Sequence, residues 1–370
     1  MDVVELLKKL VKIDTRNPPG YTGEAVEFLQ NFFSSYECRV YEKNGKLSIV
    51  VEVSKGKPTL MLTSHLDTVP ASDALLNPVI VDGKLYGRGS CDAKASVAAM
   101  SVAAIEADVE CGLKLTFTAD EEVGGAHGLG YVFEREGADA VIVGEPTGLD
   151  AVGVLQAAVV AVDLEFEGES GHTAMKDASL GAIYRAAVYI LDAVKRFREM
   201  SGDYGSYAEE LRKLGFEFTL KSWQAVFNPA MISGGVKRNV VAPSCVVKAD
   251  VRFAPWIPIS EVREALNCGC RVKVEGFLQP YGFGFDSVKK EDDVKLLRIL
   301  GKVAGRYGKP KAVFSLGVGD TRHVRKHGVP AFYYGPSGGD IHGENEFVYL
   351  HELREFVEAY KKIVELFKTF

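Results

Sequence analysis

Two histidines and a set of carboxylates are the residues in this chain best suited to do chemistry. The first pair is His65 and Asp67, in Thr63-Ser64-His65-Leu66-Asp67-Thr68-Val69-Pro70. Two apart in extended chain, they point to the same side. A neutral imidazole can bind a metal through one nitrogen while a second group fixes the other, and Asp67 is close enough for that supporting task. Asp92 follows in Gly87-Arg88-Gly89-Ser90-Cys91-Asp92-Ala93-Lys94, where it would also serve as a plain helix N-cap. Asp120, Glu121 and Glu122 then stand in a row. Successive acids repel one another unless cations or water neutralise them. Here they lie between an apolar strand and Gly124-Gly125, a poor solvated face. A phosphate loop is a worse reading, because the glycine spacing is wrong and the two glutamates would repel phosphate. Glu145 follows Gly144, and His342 lies in Gly338-Gly339-Asp340-Ile341-His342-Gly343-Glu344. Two histidines and three carboxylates, one of them bridging, suit a pair of divalent metals: zinc first, with cobalt or manganese as replacements. Two such ions would be neutralised by Asp92, Glu122, Glu145 and an ionised Glu121.

The elements that must position these groups can be read from periodicity. Thr59 to Leu62 is an apolar strand running into His65; Leu113 to Thr118 runs into the acidic row; Ala140 to Val143 ends at Glu145. A helix rich in Ala, Val and Met spans 93–107 and places Asp92 at or near its N-terminus. Strands alternating with helices predict a largely parallel sheet, with ligands at the strands' carboxyl ends. Further helices are expected over 2–13, 23–36, 180–198, 262–266, 289–307 and 350–370, and an Asn44-Gly45 hairpin between two strands within 38–53. Between residues 157 and 275 the order becomes strand–helix–strand–strand–helix–strand, with strands expected around 216–225 and 239–253. That reads as a small antiparallel α/β module inserted into the larger domain.

The chain of 370 residues carries a net charge of −6, with 47% hydrophobic and 25% charged residues, ordinary for a globular protein. No basic surface or Lys/Arg block argues for nucleic acid, and no apolar run approaches a membrane span. The N-terminal residues lack a basic region followed by an apolar core, so a cytoplasmic location is expected. Six dispersed cysteines fit reduced thiols there, and Cys268-Gly269-Cys270 has no partner pair with which to form a zinc ribbon.

Taken together, the segments SHLDTVP, GRGSCDAK, ADEEVGG, GEPT, GHTA, NVVAP followed by DVRF, GDTR and HGENE resemble the dizinc amidohydrolase family. That family includes acetylornithine deacetylase, succinyl-diaminopimelate desuccinylase, aminoacylase, glutamate carboxypeptidase and dipeptidases. The segments span nearly the whole chain in the family's order. The resemblance implies an α/β fold: a zinc-peptidase-like catalytic domain with a mostly parallel mixed sheet (1–156 and 276–370), plus an inserted ferredoxin-like α+β dimerisation or lid domain (157–275). It implies Asp92 bridging two metal ions, His65 and Glu145 completing one site, and Glu122 and His342 the other. Asp67 would orient His65. Glu121 would be the general base, acting on a metal-bridging water. The inserted domain would make a homodimer in which His172 reaches the partner's active site to stabilise the oxyanion. Asn239 and Arg252 would hold substrate, and Asp320 and Arg322 would contribute contacts. A non-proline cis peptide is implied at Asp92-Ala93.

The implied reaction is cleavage of the amide of an N-acyl-amino acid in amino-acid biosynthesis. The alternatives are a dipeptidase or carboxypeptidase with the same centre, and a non-catalytic binding protein, which the presence of the base and all five ligands disfavours. One departure bears on substrate. Desuccinylase-like members carry Thr-Ser ahead of the Asp-x-Arg pair, where this chain has Val318 and Gly319. The missing hydroxyl counts against succinyl-diaminopimelate. Asp320 could instead pair with Arg322, and Arg252 with Asp250. His127, His323, His327 and His351 read as structural or surface residues.

Overall fold

The computed structural model describes residues 2–370. Its central strand is Thr59–His65, buried at every position. A strand apolar on both faces belongs inside a parallel sheet that is covered on both sides. The nine strands run in the order Glu37–Lys43, Lys46–Ser54, Gly112–Thr118, Thr59–His65, Ala140–Val143, Ala331–Tyr333, Ala151–Leu155, Lys311–Phe314, Glu217–Leu220. Thr59–His65 has parallel neighbours on both sides. The first two strands form an antiparallel hairpin turning at Asn44 and Gly45, with φ of 53° and 74°, the left-handed pair that a two-residue hairpin needs. The sheet is therefore mixed and mostly parallel, as expected.

The helix Lys94–Glu106 is buried almost throughout. It is held between the sheet and two outer helices, Val3–Lys12 and Leu350–Phe367. Val3–Lys12 starts at Asp2, whose carboxylate accepts from the Val4 backbone N–H at 3.1 Å. Strands Thr59–His65, Gly112–Thr118 and Ala140–Val143 point the same way, so their carboxyl ends share one edge. His65, the acidic row and Glu145 all emerge there.

A second sheet, all antiparallel, has the order Ala225–Gly234, Ser244–Phe253, Ala158–Glu167, Arg271–Leu278. Helices Ala182–Glu199 and Ile259–Leu266 pack together beside it, the first against three of its strands. Every second residue of Ala158–Glu167 is buried, which marks its covered face.

The insertion is not continuous over 157–275. The segment 205–220 leaves it: after the helix Gly205–Lys213, Glu217–Leu220 pairs in parallel with Lys311–Phe314 at the edge of the large sheet. Tyr204, Tyr207, Phe218, Trp256, Phe283 and Phe314 form an aromatic cluster at this junction. Burying those rings draws the segment across. The strand expected around 216–225 is thus two strands in different sheets, separated at 221–224. All six cysteines are free. Among the described residues, no helix is long and apolar enough to cross a membrane.

Candidate metal centre

The His65 Nδ1–H donates to the backbone carbonyl of Asp67 at 2.8 Å. A carbonyl only accepts, so the other nitrogen, Nε2, is the one presented to the cavity. It lies 3.2 Å from Asp92 Oδ1 and 3.7 Å from Glu145 Oε1. On the far side of the same carboxylate, His342 Nε2 is 3.0 Å from Asp92 Oδ2 and 3.4 Å from Glu122 Oε2. Two triads therefore meet on opposite oxygens of Asp92: His65, Asp92 and Glu145, and Asp92, Glu122 and His342. Within each triad the candidate ligand atoms lie within 4.8 Å of one another. The peptide Asp92-Ala93 is cis.

Asp67 supports the site by two routes. Its backbone oxygen sets the His65 ring, while its carboxylate, 3.7 Å from that ring, accepts from the backbone N–H groups of Glu121 and Glu122 at 3.1 and 3.2 Å. Asn17 Nδ2 donates to the same carboxylate at 2.9 Å. One buried residue thus holds both the candidate ligand histidine, through its backbone oxygen, and the acidic turn, through its carboxylate.

The electrostatics fit a pair of cations. Burial pushes Glu121 up to about 8, helped by Asp320, Asp92 and Glu122 and opposed by His65. Burial and Asp92 likewise raise Glu145. Hydrogen bonds to Asp92 and Glu122 lift His342 to about 10. His65 is raised too, although burial opposes it, because Asp67 and Asp92 hold its charged form. Glu145 Oε1 is buried with no hydrogen-bond partner. Crowded acids that hold protons, histidines pulled towards their charged form and an orphaned carboxylate oxygen are what divalent cations would relieve. Imidazole with carboxylate oxygen is the donor set for zinc and its neighbours.

Around the centre lies a cavity of about 530 Å³, lined among others by Asp92, Glu121, Glu122, Glu145, Arg252, Arg322 and His342. Arg252 pairs with Asp250 at 3.0 Å and donates to the Leu316 carbonyl at 3.3 Å. Asp320 is buried, has an unpartnered Oδ1 and makes no bond to Arg322; burial raises it to about 7. His172 and Asn239 are not brought to this cavity. His172 is exposed on the short ladder where Gly171–His172 pairs with Val240–Val241, and Asn239 is exposed just ahead of that ladder.

The sequence profile of peptidase family M20/M25/M40 matches residues 61–366. This chain belongs to that family. N-acetyl-L-citrulline deacetylase of Xanthomonas campestris pv. campestris is 25% identical, over 98% of this chain and 97% of its own. Succinyl-diaminopimelate desuccinylase 2 of a Ruegeria species is 26% identical, over 98% of this chain and 94% of its own. The M20 metallo-carboxypeptidase structure from Sulfolobus solfataricus superposes with a TM-score of 0.70 at 18% identity, covering 100% of both chains. The M20 chain described here is accordingly an enzyme, a hydrolase with a mixed α/β fold.

Sequence reasoning missed a buried pair that ties two candidate-ligand segments of this M20 enzyme together. Arg88 donates to Glu346 Oε2 at 2.5 Å and to the carbonyls of His342 and Gly343 at 3.1 and 3.0 Å. Glu346 in turn accepts from the backbone N–H groups of Gly89, Cys91 and Asp92 at 3.0–3.1 Å. Both residues sit in matched segments, GRGSCDAK and HGENE, and only their long-range partnership was hidden. Two glycines are also fixed by the site. Gly125 has φ of 65°, and a Cβ there would stand 2.1 Å from Asp320 Oδ1. A Cβ on Gly319 would lie 2.9 Å from the Tyr333 hydroxyl and 3.1 Å from Glu121 Oε1.

Proposed function

We propose that this M20 enzyme hydrolyses the amide bond of N-acyl-amino acids, releasing a carboxylic acid and a free amine. The observation that carries the reading is the meeting of both triads on one carboxylate, Asp92, with Glu121 beside them. His65, Asp92 and Glu145 would hold one divalent ion, and Asp92, Glu122 and His342 a second, zinc before cobalt or manganese. Bound there, the ions supply Lewis acidity, lowering the pKa of water and polarising the scissile carbonyl. Glu121 takes a proton from the attacking water and returns it to the departing amine nitrogen. Asp67 keeps Glu121 and Glu122 in place through their backbone N–H groups. Arg252 and Arg322, which line the cavity, would contact substrate together with Asp320, and Asn239 would join them from the lid.

His172 acts in a second copy of the chain, stabilising the oxyanion there. Its exposure outside its own cavity supports this. So does the surface beside it. Tyr184, Val188 and Leu191 form an exposed apolar stripe on Ala182–Glu199, next to the unpaired outer edge of Ala225–Gly234. The enzyme is read as a cytoplasmic homodimer of amino-acid biosynthesis, with acetylornithine as leading substrate. Cleavage of dipeptides or carboxy-terminal residues is the second reading, favoured by the full-length likeness to an M20 carboxypeptidase.

Metal analysis with a Glu121→Gln variant tests the chemistry. The wild type should bind two ions per chain, and the variant should keep both while kcat falls by about 10²–10⁴-fold. A single ion per chain, or undiminished turnover in the variant, would sink the reading. Relative kcat/KM on acetylornithine, other N-acyl-amino acids and dipeptides separates deacylase from peptidase.

A further inference from the structure

Three cations other than histidine line the cavity: Lys221, Arg252 and Arg322. Arg252 is engaged by Asp250. Arg322 spends its terminal nitrogens on the carbonyls of Gly319 and Gly124 at 2.8 and 2.6 Å. Lys221 is different. Its backbone N–H donates to the Phe314 carbonyl at 2.9 Å, so it prolongs the pairing of Glu217–Leu220 with Lys311–Phe314. It stands just past the end of a strand that runs parallel to Lys311–Phe314, and it lines the same cavity as Asp92, Glu122, Glu145 and His342. The next residue is tied down as well, since Ser222 Oγ accepts from the Leu316 N–H at 3.1 Å.

The Lys221 ammonium donates to the Thr147 carbonyl at 3.0 Å. Thr147 is two residues beyond the ligand Glu145. Among the described residues, no carboxylate comes within ion-pair distance of this ammonium. Crowding by protein pulls its pKa below the ordinary lysine value, with Asp150 and Glu352 acting against that. Two of its three N–H donors are left for a ligand. Leu155 and Val313 also line the cavity and offer a carboxylate no hydrogen-bond donor from their side chains. A cation held on a rigid strand end, short of a counter-charge and sharing a cavity with the reaction centre, is built to meet an anion.

We infer that Lys221 is a specificity residue that binds a carboxylate of the substrate, additional to the one the lid arginine would hold. The substrate class is then N-acyl-amino acids with a second carboxylate. That group could sit on the amino-acid side chain or at the far end of the acyl group; the chemistry recognised is the same. The inference rests on the amide-hydrolase reading above and narrows it to diacids, which displaces acetylornithine, a molecule with one carboxylate and an amine side chain, as the leading substrate.

Matched substrate pairs test it in the zinc-loaded enzyme. One pair sets N-acetyl-glutamate against N-acetyl-glutamine; the other sets an N-succinyl-amino acid against its N-butyryl counterpart. The wild type should favour the acidic member of one pair by about tenfold or more in kcat/KM, mainly through KM. The pair that responds identifies which end carries the group. Lys221→Met should collapse that ratio towards one, Lys221→Arg should keep most of it, and Lys221→Glu should reverse it. Equal use of acidic and neutral members by the wild type, or an equal loss for both in Lys221→Met, overturns the inference while leaving the amide-hydrolase reading intact.

A binding readout stands apart from turnover. Calorimetry should show succinate or glutarate binding the zinc-loaded wild type about tenfold more tightly than its half-amide, and Lys221→Met should erase the difference. No preference for the diacid overturns the inference whether or not any amide is cleaved. Diacid preference without cleavage of any amide would instead sustain the anion site and overturn the hydrolase reading.

Discussion

Glu121 has little room to move. Its carboxylate faces Gly319, and across the same glycine lies the Tyr333 hydroxyl. That hydroxyl accepts from Gln156 Nε2 at 2.6 Å and Thr321 Oγ1 at 3.0 Å, so it cannot retreat easily. The Gly319→Ser variant must displace one of the two. We expect kcat to fall by about tenfold or more with metal content unchanged, since small misplacements of a reacting group are costly. Adding Tyr333→Phe should restore part of the loss by removing the crowded oxygen, as steady-state kinetics on the double variant would show. The space that a side chain at residue 319 would need is taken by the Tyr333 hydroxyl and the Glu121 carboxylate. A second residue-scale outcome concerns His323, which donates from Nε2 to the Gly124 carbonyl at 2.9 Å just behind the acidic turn. Burial, with help from Arg322, pulls it down to about 4. The unfolded chain therefore takes up this proton first as pH falls. The contribution is fully present above about 6.5, declines as pH drops towards about 4, and then levels off. Chemical unfolding of the metal-loaded wild type and His323→Gln across that window should show the wild type losing more stability, by on the order of 3 kcal/mol.

The segment just after Gly319 depends on a buried ion cluster. Arg325 ends the short helix Thr321–Arg325 and is fully buried. It binds Asp286 at 2.6 and 3.1 Å and Asp293 at 2.8 Å through each terminal nitrogen. Asp293 belongs to the helix Lys290–Ala304, so the cluster fastens that helix to the segment carrying Asp320 and Arg322. Arg325→Met leaves the buried Asp293 carboxylate without a partner and Asp286 with only the backbone N–H groups of Gly282 and Val288, and should cost about 3–5 kcal/mol in denaturant unfolding. None of this was visible in advance. His65, Asp92, Glu145 and His342 stood out in the sequence because few residue types can bind a metal and each follows an apolar strand or a glycine-rich turn. Arg325, Arg88 and Glu346 carry no local sign of burial; their partners are tens to hundreds of residues away. The crossing at 221–224 was hidden for another reason. Two short strands with a polar link between them have the same pattern as one longer strand, and only the aromatic cluster at the junction divides them.

On the scale of the whole molecule, the placing of His172 makes a claim about assembly. If it serves a second copy, Glu121→Gln and His172→Ala chains, each nearly inactive alone, should complement when unfolded together and refolded as a mixture. Random pairing in a two-fold dimer puts one complete site in half of the dimers, about a quarter of wild-type activity. No recovery would place His172's action in its own chain. Leu191→Asp should separate the dimer in sedimentation and lower activity, with two metals still bound per chain. The large sheet has a further implication. Ala331–Tyr333, near the end of the chain, lies between Ala140–Val143 and Ala151–Leu155 in the middle of the sheet. On the ribosome, those two earlier strands must wait for nearly two hundred more residues to emerge. Until then each shows an unsatisfied backbone edge of the kind that invites wrong pairing. A prematurely terminated product ending before residue 331 should therefore be sticky as well as inactive, and its rescue would call for a chaperone.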